Sequence, residues 1–321
     1  MHRRRFLWTG IAAAGSLVVG AAVYRAFAAE IARARARIGT GSQVFQTRFG
    51  PMEYAVAGDG PPAIMIHGTG GGFDQGLAFS SRLIAAGHQI VAPSRFGYLR
   101  SEFPDDPSSE HQADAIVDLM DHLGIAHTPI IGGSAGALSA LQFAIRHPER
   151  CSALVVIVPA AFAPDRPPPR PNALGAAIME YGLKSDFLFW AGMSWAEDTM
   201  FGTILATDPA LVRQATSEEQ ERVRAIMHDI LPVSARADGL LNDARLAGTP
   251  KPMELEAIKA PTLAISLEDD RFETLAAARH IARTVTGAKL VTYQTGGHVF
   301  VGRDKELFQE VDTFLSGVQG S

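Results

Sequence analysis

Cysteine is nearly missing from this chain of 321 residues. Cys151 stands alone, so neither an intrachain disulfide nor a cysteine-built metal cluster can form. It precedes an apolar run, where a buried and inert thiol is expected. Positive charge is scarce outside the N-terminus. The net charge is −5, yet residues 1–38 hold seven arginines against one glutamate, a surplus of six that leaves −11 for the rest. An acidic body argues against nucleic acid as a partner. No internal repeat is visible. Residues 68–72 are glycine-rich but lack the following Lys-Ser/Thr of a phosphate loop, and no ribose-binding acid is evident. What remains is ordinary in composition, 47% hydrophobic and 20% charged, which describes a globular protein with room for one large α/β domain or two small ones.

Charge is also absent from residues 6–24, a run about long enough to cross a bilayer as a helix. Arg3-Arg4-Arg5-Phe6-Leu7 ahead of it resembles a twin-arginine export signal, and Ala26-Phe27-Ala28 offers a small-residue cleavage site. Arg25 interrupts the run, and Arg33, Arg35 and Arg37 follow where a helix could continue along a membrane surface. Residues 1–38 are expected to be an uncleaved signal-anchor that tethers an extracytoplasmic body to the membrane. The alternative is an exported soluble protein after cleavage.

Beyond residue 38, apolar strands alternate with helices. Strands are expected at 43–49, 52–57, 63–66, 89–92, 130–133, 153–158, 261–266 and 289–293. Helices are expected at 77–86, 110–123, 273–284 and 305–315. The first two strands, joined by Gly50-Pro51, look like an antiparallel pair, and the alternation that follows demands a mostly parallel, doubly wound sheet covered on both faces. Between 160 and 252 no strand pattern appears. Helices are expected there at 172–182, 186–193, 217–231 and 234–246, the third opening on the capping-box spacing Ser217-Glu-Glu-Gln220. This stretch holds Trp190 and Trp195 with several Phe and Met residues, as would a helical cap with a small core whose inner face walls a pocket. The expected organisation is therefore a core at 39–159 and 253–321 with a cap at 160–252.

The chain turns on Gly132-Gly133-Ser134-Ala135-Gly136, where a strand passes directly into a helix. G-x-S-x-G in that context forces the serine into a strained backbone and lifts its hydroxyl clear of the sheet. Serine is a poor nucleophile near neutral pH and needs a base. Of ten histidines, His298 follows a strand after two glycines that let its loop turn inward. His67 also follows a strand but is better explained as a strut for the glycine loop behind it. An acid must orient the imidazole. Asp270 has the better spacing after the seventh strand, with Asp269 as the alternative and Asp165 further out. The oxyanion hole is expected from the backbone N–H of Ala135 and from the loop at Thr69-Gly70.

These residues resemble the α/β-hydrolase superfamily over residues 43–316. The likeness rests on His67-Gly68 with its glycines, the serine turn, Asp269-Asp270 and Gly296-Gly297-His298, in the family's order of serine, acid, histidine. One departure is Ser94, where the family often has Asp at a position that is usually structural. The resemblance implies an acyl-enzyme mechanism on a small to medium apolar carboxylic ester or lactone. The nearest branch is the capped one of carboxylesterases, lactonases and carbon–carbon bond hydrolases. Carbon–carbon bond hydrolysis by the same triad, or a low-turnover ligand-binding receptor, are the alternatives. No metal or organic cofactor is implied.

Overall fold

A computed structural model describes residues 2–166 and 181–319. Eight strands form one sheet: β1 (Gln43–Thr47), β2 (Gly50–Ala57), β3 (Pro62–Ile66), β4 (Gln89–Pro93), β5 (Thr128–Gly133), β6 (Cys151–Ile157), β7 (Thr262–Leu267) and β8 (Lys289–Tyr293). Their spatial order is β1-β2-β4-β3-β5-β6-β7-β8, with the β1–β2 and β2–β4 pairs antiparallel and the others parallel. The all-apolar runs Ala63–Ile66 and Ala153–Ile157 have both faces covered, which is why they read as continuous rather than alternating.

Helices cover the sheet. In place of the single helix expected at 77–86, the chain makes two short helices, α2 (Phe73–Phe79) and α3 (Ser81–Ala85), broken at Ser80. Helix α4 (Ser109–Leu123) begins with the Ser108 hydroxyl accepting from the His111 N–H and ends at Gly124 with φ of 70°, a left-handed cap. Helix α5 (Gly136–Arg146) starts at the serine turn.

Between β6 and β7 the described residues hold α6 (Asp186–Trp195), α7 (Glu197–Thr203), α8 (Pro209–Gln214), α9 (Ser217–His228) and α10 (Ala237–Gly248). The expected helix at 172–182 lies mostly outside the described residues. Helices α7 and α8 went unread because each is under eight residues, too short for a periodic signal. The cap of α9 sits one residue earlier than expected: Thr216 accepts from Glu219 N, while the Glu219 carboxylate turns to Arg222 and the Gly302 N–H. These helices enclose a core of their own around Phe189, Trp190, Met193, Phe201 and Met227. Trp195 lies at its edge, with its ring edge-on to Trp190 at 5.7 Å, and is 66% exposed. After β7 come α11 (Thr274–Thr284) and α12 (Asp304–Gln319), the latter burying Leu307, Phe308, Val311 and Leu315 against the sheet.

The first helix, α1, runs His2–Ile38. Among the described residues, no helix is long and apolar enough to cross a membrane. Its C-terminal end is docked. Phe27 meets the rings of Phe187 and Trp190, Glu30 accepts from Trp190 Nε1 at 3.1 Å and pairs with His228, and Ile31 and Ala34 are buried in the helical core. Positions 27, 30, 31, 34 and 37 share one helix face.

Candidate active site

The serine turn is as tight as its glycines imply. Ser134 has φ of 50°, a left-handed conformation that costs a non-glycine residue about 1–3 kcal/mol. It is held by Ser134 N–H to Ile157 O at 2.9 Å and Ala160 N–H to Ser134 O at 3.1 Å. A Cβ on Gly132 would stand 2.7 Å from Ala140 Cβ, and one on Gly136 would overlap the carbonyl oxygens of Ile66 and His67. At Gly133 the nearest atom would be Met65 Cε at 3.7 Å. Gly136→Ala should therefore cost roughly 3 kcal/mol in urea unfolding, because backbone rather than a side chain must move. Gly133→Ala should stay within about 0.5 kcal/mol.

Ser134, His298 and Asp270 come together. His298 Nε2 lies 2.9 Å from Ser134 Oγ, and His298 Nδ1 lies 2.9 Å from Asp270 Oδ2. Asp270 also accepts from the Phe272 N–H at 2.9 Å and from the Thr274 hydroxyl. Burial would raise its pKa, but the His298 imidazole and these hydrogen bonds outweigh burial and hold it below the ordinary 3.8. The Phe272 ring stands edge-on to His298 with centroids 4.9 Å apart.

Asp269 does something else. Its carboxylate accepts from the Gly296 and Gly297 N–H groups at 3.0 and 2.8 Å, pinning the loop that carries His298. Gly296 and Gly297 have φ of 144° and 63°, and Thr207 packs where a side chain on Gly297 would go. Arg271, next to Asp270 in sequence, pairs with Asp208 at 3.1 Å. Asp165 has no part in the cluster: no hydrogen bond or ion pair joins it to Ser134 or His298 among the described residues.

The glycine loop lies against the serine, since a Cβ on Gly68 would be 3.1 Å from Ser134 Cβ. Among the described residues, the N–H groups of Thr69 and Ala135 donate to no protein group. Gly70 corrects the expectation. Its N–H donates to the Tyr98 hydroxyl at 3.3 Å, so it is engaged in shaping the loop rather than free for an oxyanion. His67 is a strut: Nδ1 bonds Gly68 O at 2.7 Å, and Nε2 accepts from Arg95 N at 2.9 Å. Complete burial and the Arg95 charge push its pKa well below 6.5, so it stays neutral.

Behind the loop lies a network that motif reading missed. Arg95 donates twice to Asp243 at 2.6 Å and also bonds the His67 and Gly68 carbonyls. The Tyr98 hydroxyl donates to the same carboxylate, and burial with Asp243 nearby pushes its pKa well up. Ser94 is structural as implied, accepting from Phe73 N and donating to the buried Glu53.

Residues 61–302 match the family model for the alpha/beta hydrolase fold, three quarters of the chain. The chain belongs to the α/β-hydrolase family. Among curated relatives, this hydrolase is 27% identical over 256 residues to the 2-hydroxy-6-oxo-6-phenylhexa-2,4-dienoate hydrolase of Comamonas testosteroni, covering 77% of this chain and 84% of that one. In three dimensions it is similar to an alpha/beta hydrolase fold protein from Nakamurella multipartita, with a TM-score of 0.69, 23% identity, and coverage of 87% and 100%. It also matches a bacterial membrane phospholipase A over 100% of both chains, with a TM-score of 0.65 and 22% identity.

Proposed function

We propose that this hydrolase cleaves small to medium, mostly apolar carboxylic esters or lactones through an acyl-enzyme. The observation that carries the reading is the unbroken Ser134–His298–Asp270 line beside two backbone N–H groups with no partner among the described residues. In this scheme Ser134 Oγ attacks the carbonyl carbon while His298 Nε2 takes its proton, and Asp270 stabilises the imidazolium that forms. The carbonyl oxygen becomes an oxyanion held by Thr69 and Ala135. Its collapse expels the alcohol, which leaves with the proton from His298. Water then attacks the acyl-serine by the same steps in reverse, releasing the acid. Apolar side chains beside these groups, Phe272 against His298 and Ile230 against Gly70, suit an uncharged substrate.

Carbon–carbon bond hydrolysis is the second reading, favoured by what the Comamonas relative is named for. The test is a fluorophosphonate probe followed by peptide mapping, with short p-nitrophenyl esters, lactones and a dienoate diketone screened in parallel. Labelling at Ser134 with ester turnover is expected. Turnover of the diketone alone would hand the function to the second reading. A receptor would bind ligand yet resist the probe.

We also propose that the charge-free run in α1 anchors the enzyme with its body outside the cytoplasm. Wild-type protein recovered soluble, beginning near Ala29, would end that reading in favour of a cleaved signal.

A further inference from the structure

Arg37, near the end of α1, is bonded far more heavily than an arginine at a membrane surface requires. Its guanidinium donates to the carbonyls of Asp229 and Leu231 at 2.9 and 2.7 Å and pairs with the carboxylates of Asp74 at 3.4 Å and Asp229 at 3.1 Å. Arg35, two residues earlier, is a contrast: its side chain is 67% exposed and makes, among the described residues, one long pair to Asp186 at 3.7 Å.

Two of the acceptors that Arg37 holds, the Asp229 carbonyl and the Asp74 carboxylate, are shared with Arg236, which has no exposed surface. Arg236 donates to Asp229 O at 3.0 Å, to Asp74 at 2.7 and 3.2 Å, and to the Gly71 carbonyl. Asp74 remains ionised at the centre: burial would raise its pKa, but the two arginines lower it on balance. Between the two carbonyls gripped by Arg37 sits Ile230, whose side chain packs against Gly70, 3.2 Å from where a Cβ would be. The residue next to Thr69 is thus backed by Ile230, and the one after that is held by Arg236.

We propose that Arg37 is a positioning residue for the oxyanion hole. It fixes residues 229–231 and the Asp74–Arg236 pair, which together set the loop carrying the Thr69 N–H. The end of the N-terminal helix is then part of the enzyme's working parts, and it lies after Ala28, so it survives cleavage there. This rests on the serine-hydrolase reading.

The test uses the full chain in detergent, as wild type, Arg37→Ala, Arg37→Lys and Arg35→Ala. Readouts are kcat and KM on p-nitrophenyl butyrate and the inhibition constant of a trifluoromethyl ketone, whose adduct with serine carries the oxyanion. Removing a direct oxyanion donor costs about 10²–10³ in kcat, so an indirect loss of about tenfold is expected for Arg37→Ala. Ketone affinity should fall by the same factor, with KM within about twofold because ground-state binding is untouched. Lysine should restore part of both, and Arg35→Ala should match wild type. If the alanine variant does not fold, Arg37→Gln is compared with Arg37→Lys, and glutamine should be the slower. Folded variants with wild-type kcat and ketone affinity overturn the proposal alone. A wild type inert to ester and fluorophosphonate overturns the hydrolase reading and this one with it.

Discussion

Ser134→Ala should reduce ester turnover by roughly 10⁴–10⁶ and abolish fluorophosphonate labelling, because the remaining site can still bind substrate and polarise its carbonyl but has nothing to attack with. His298 would keep its bond to Asp270, so the loss should appear in kcat with KM nearly unchanged. A companion variant separates chemistry from strain. The serine is held at φ of 50°, which glycine adopts freely. Ser134→Gly should be just as inactive but gain about 1 kcal/mol of stability in thermal or urea unfolding, since the enforced conformation is relieved. A glycine variant no more stable than the alanine one would mean that the turn stores no strain. Undiminished labelling of Ser134→Ala would remove this residue from the nucleophile's role.

The sheet and the line from serine to histidine were legible because their signals are local. A parallel-sheet strand is an apolar run, and a tight strand-to-helix turn needs glycine where a Cβ would strike backbone, as at Gly132 and Gly136. Choosing between Asp269 and Asp270 was harder. Adjacent carboxylates differ in sequence by nothing but order, and only the fold directs one to His298 and the other to the Gly296 and Gly297 amides. Gly70 misled because a glycine's freedom says nothing of where its N–H points, and the hydroxyl that takes it belongs to Tyr98, 28 residues on. Arg95–Asp243 and Arg236–Asp74 join residues 148 and 162 apart, at spacings with no pattern to read. Separations of 37 and 194 residues likewise hid Arg37, which sequence alone places in a run of arginines and the fold places against Asp74 and Leu231.

Asp270→Asn should lower kcat by about 10⁴ while leaving the fold intact. The carboxylate now accepts at His298 Nδ1, which leaves Nε2 with its lone pair toward Ser134. An asparagine that keeps accepting from the Phe272 N–H presents its NH₂ to the histidine. That inverts the tautomer, so Nε2 carries the proton and cannot take one from the serine. Asp269→Asn supplies the contrast: it loses one of two backbone hydrogen bonds, loosens the loop and should cost only about tenfold through geometry. Stability reports on Asp270 as well. The pKa of Asp270 is depressed below 3.8 in the fold, so its ionisation stabilises the protein fully above that value. The contribution fades as pH falls through the folded pKa. Asp270→Asn should therefore flatten the stability profile measured by urea unfolding below about pH 4. If the two asparagine variants lose activity equally, Asp270 has no special claim on the imidazole, and the shared defect is the loop alone.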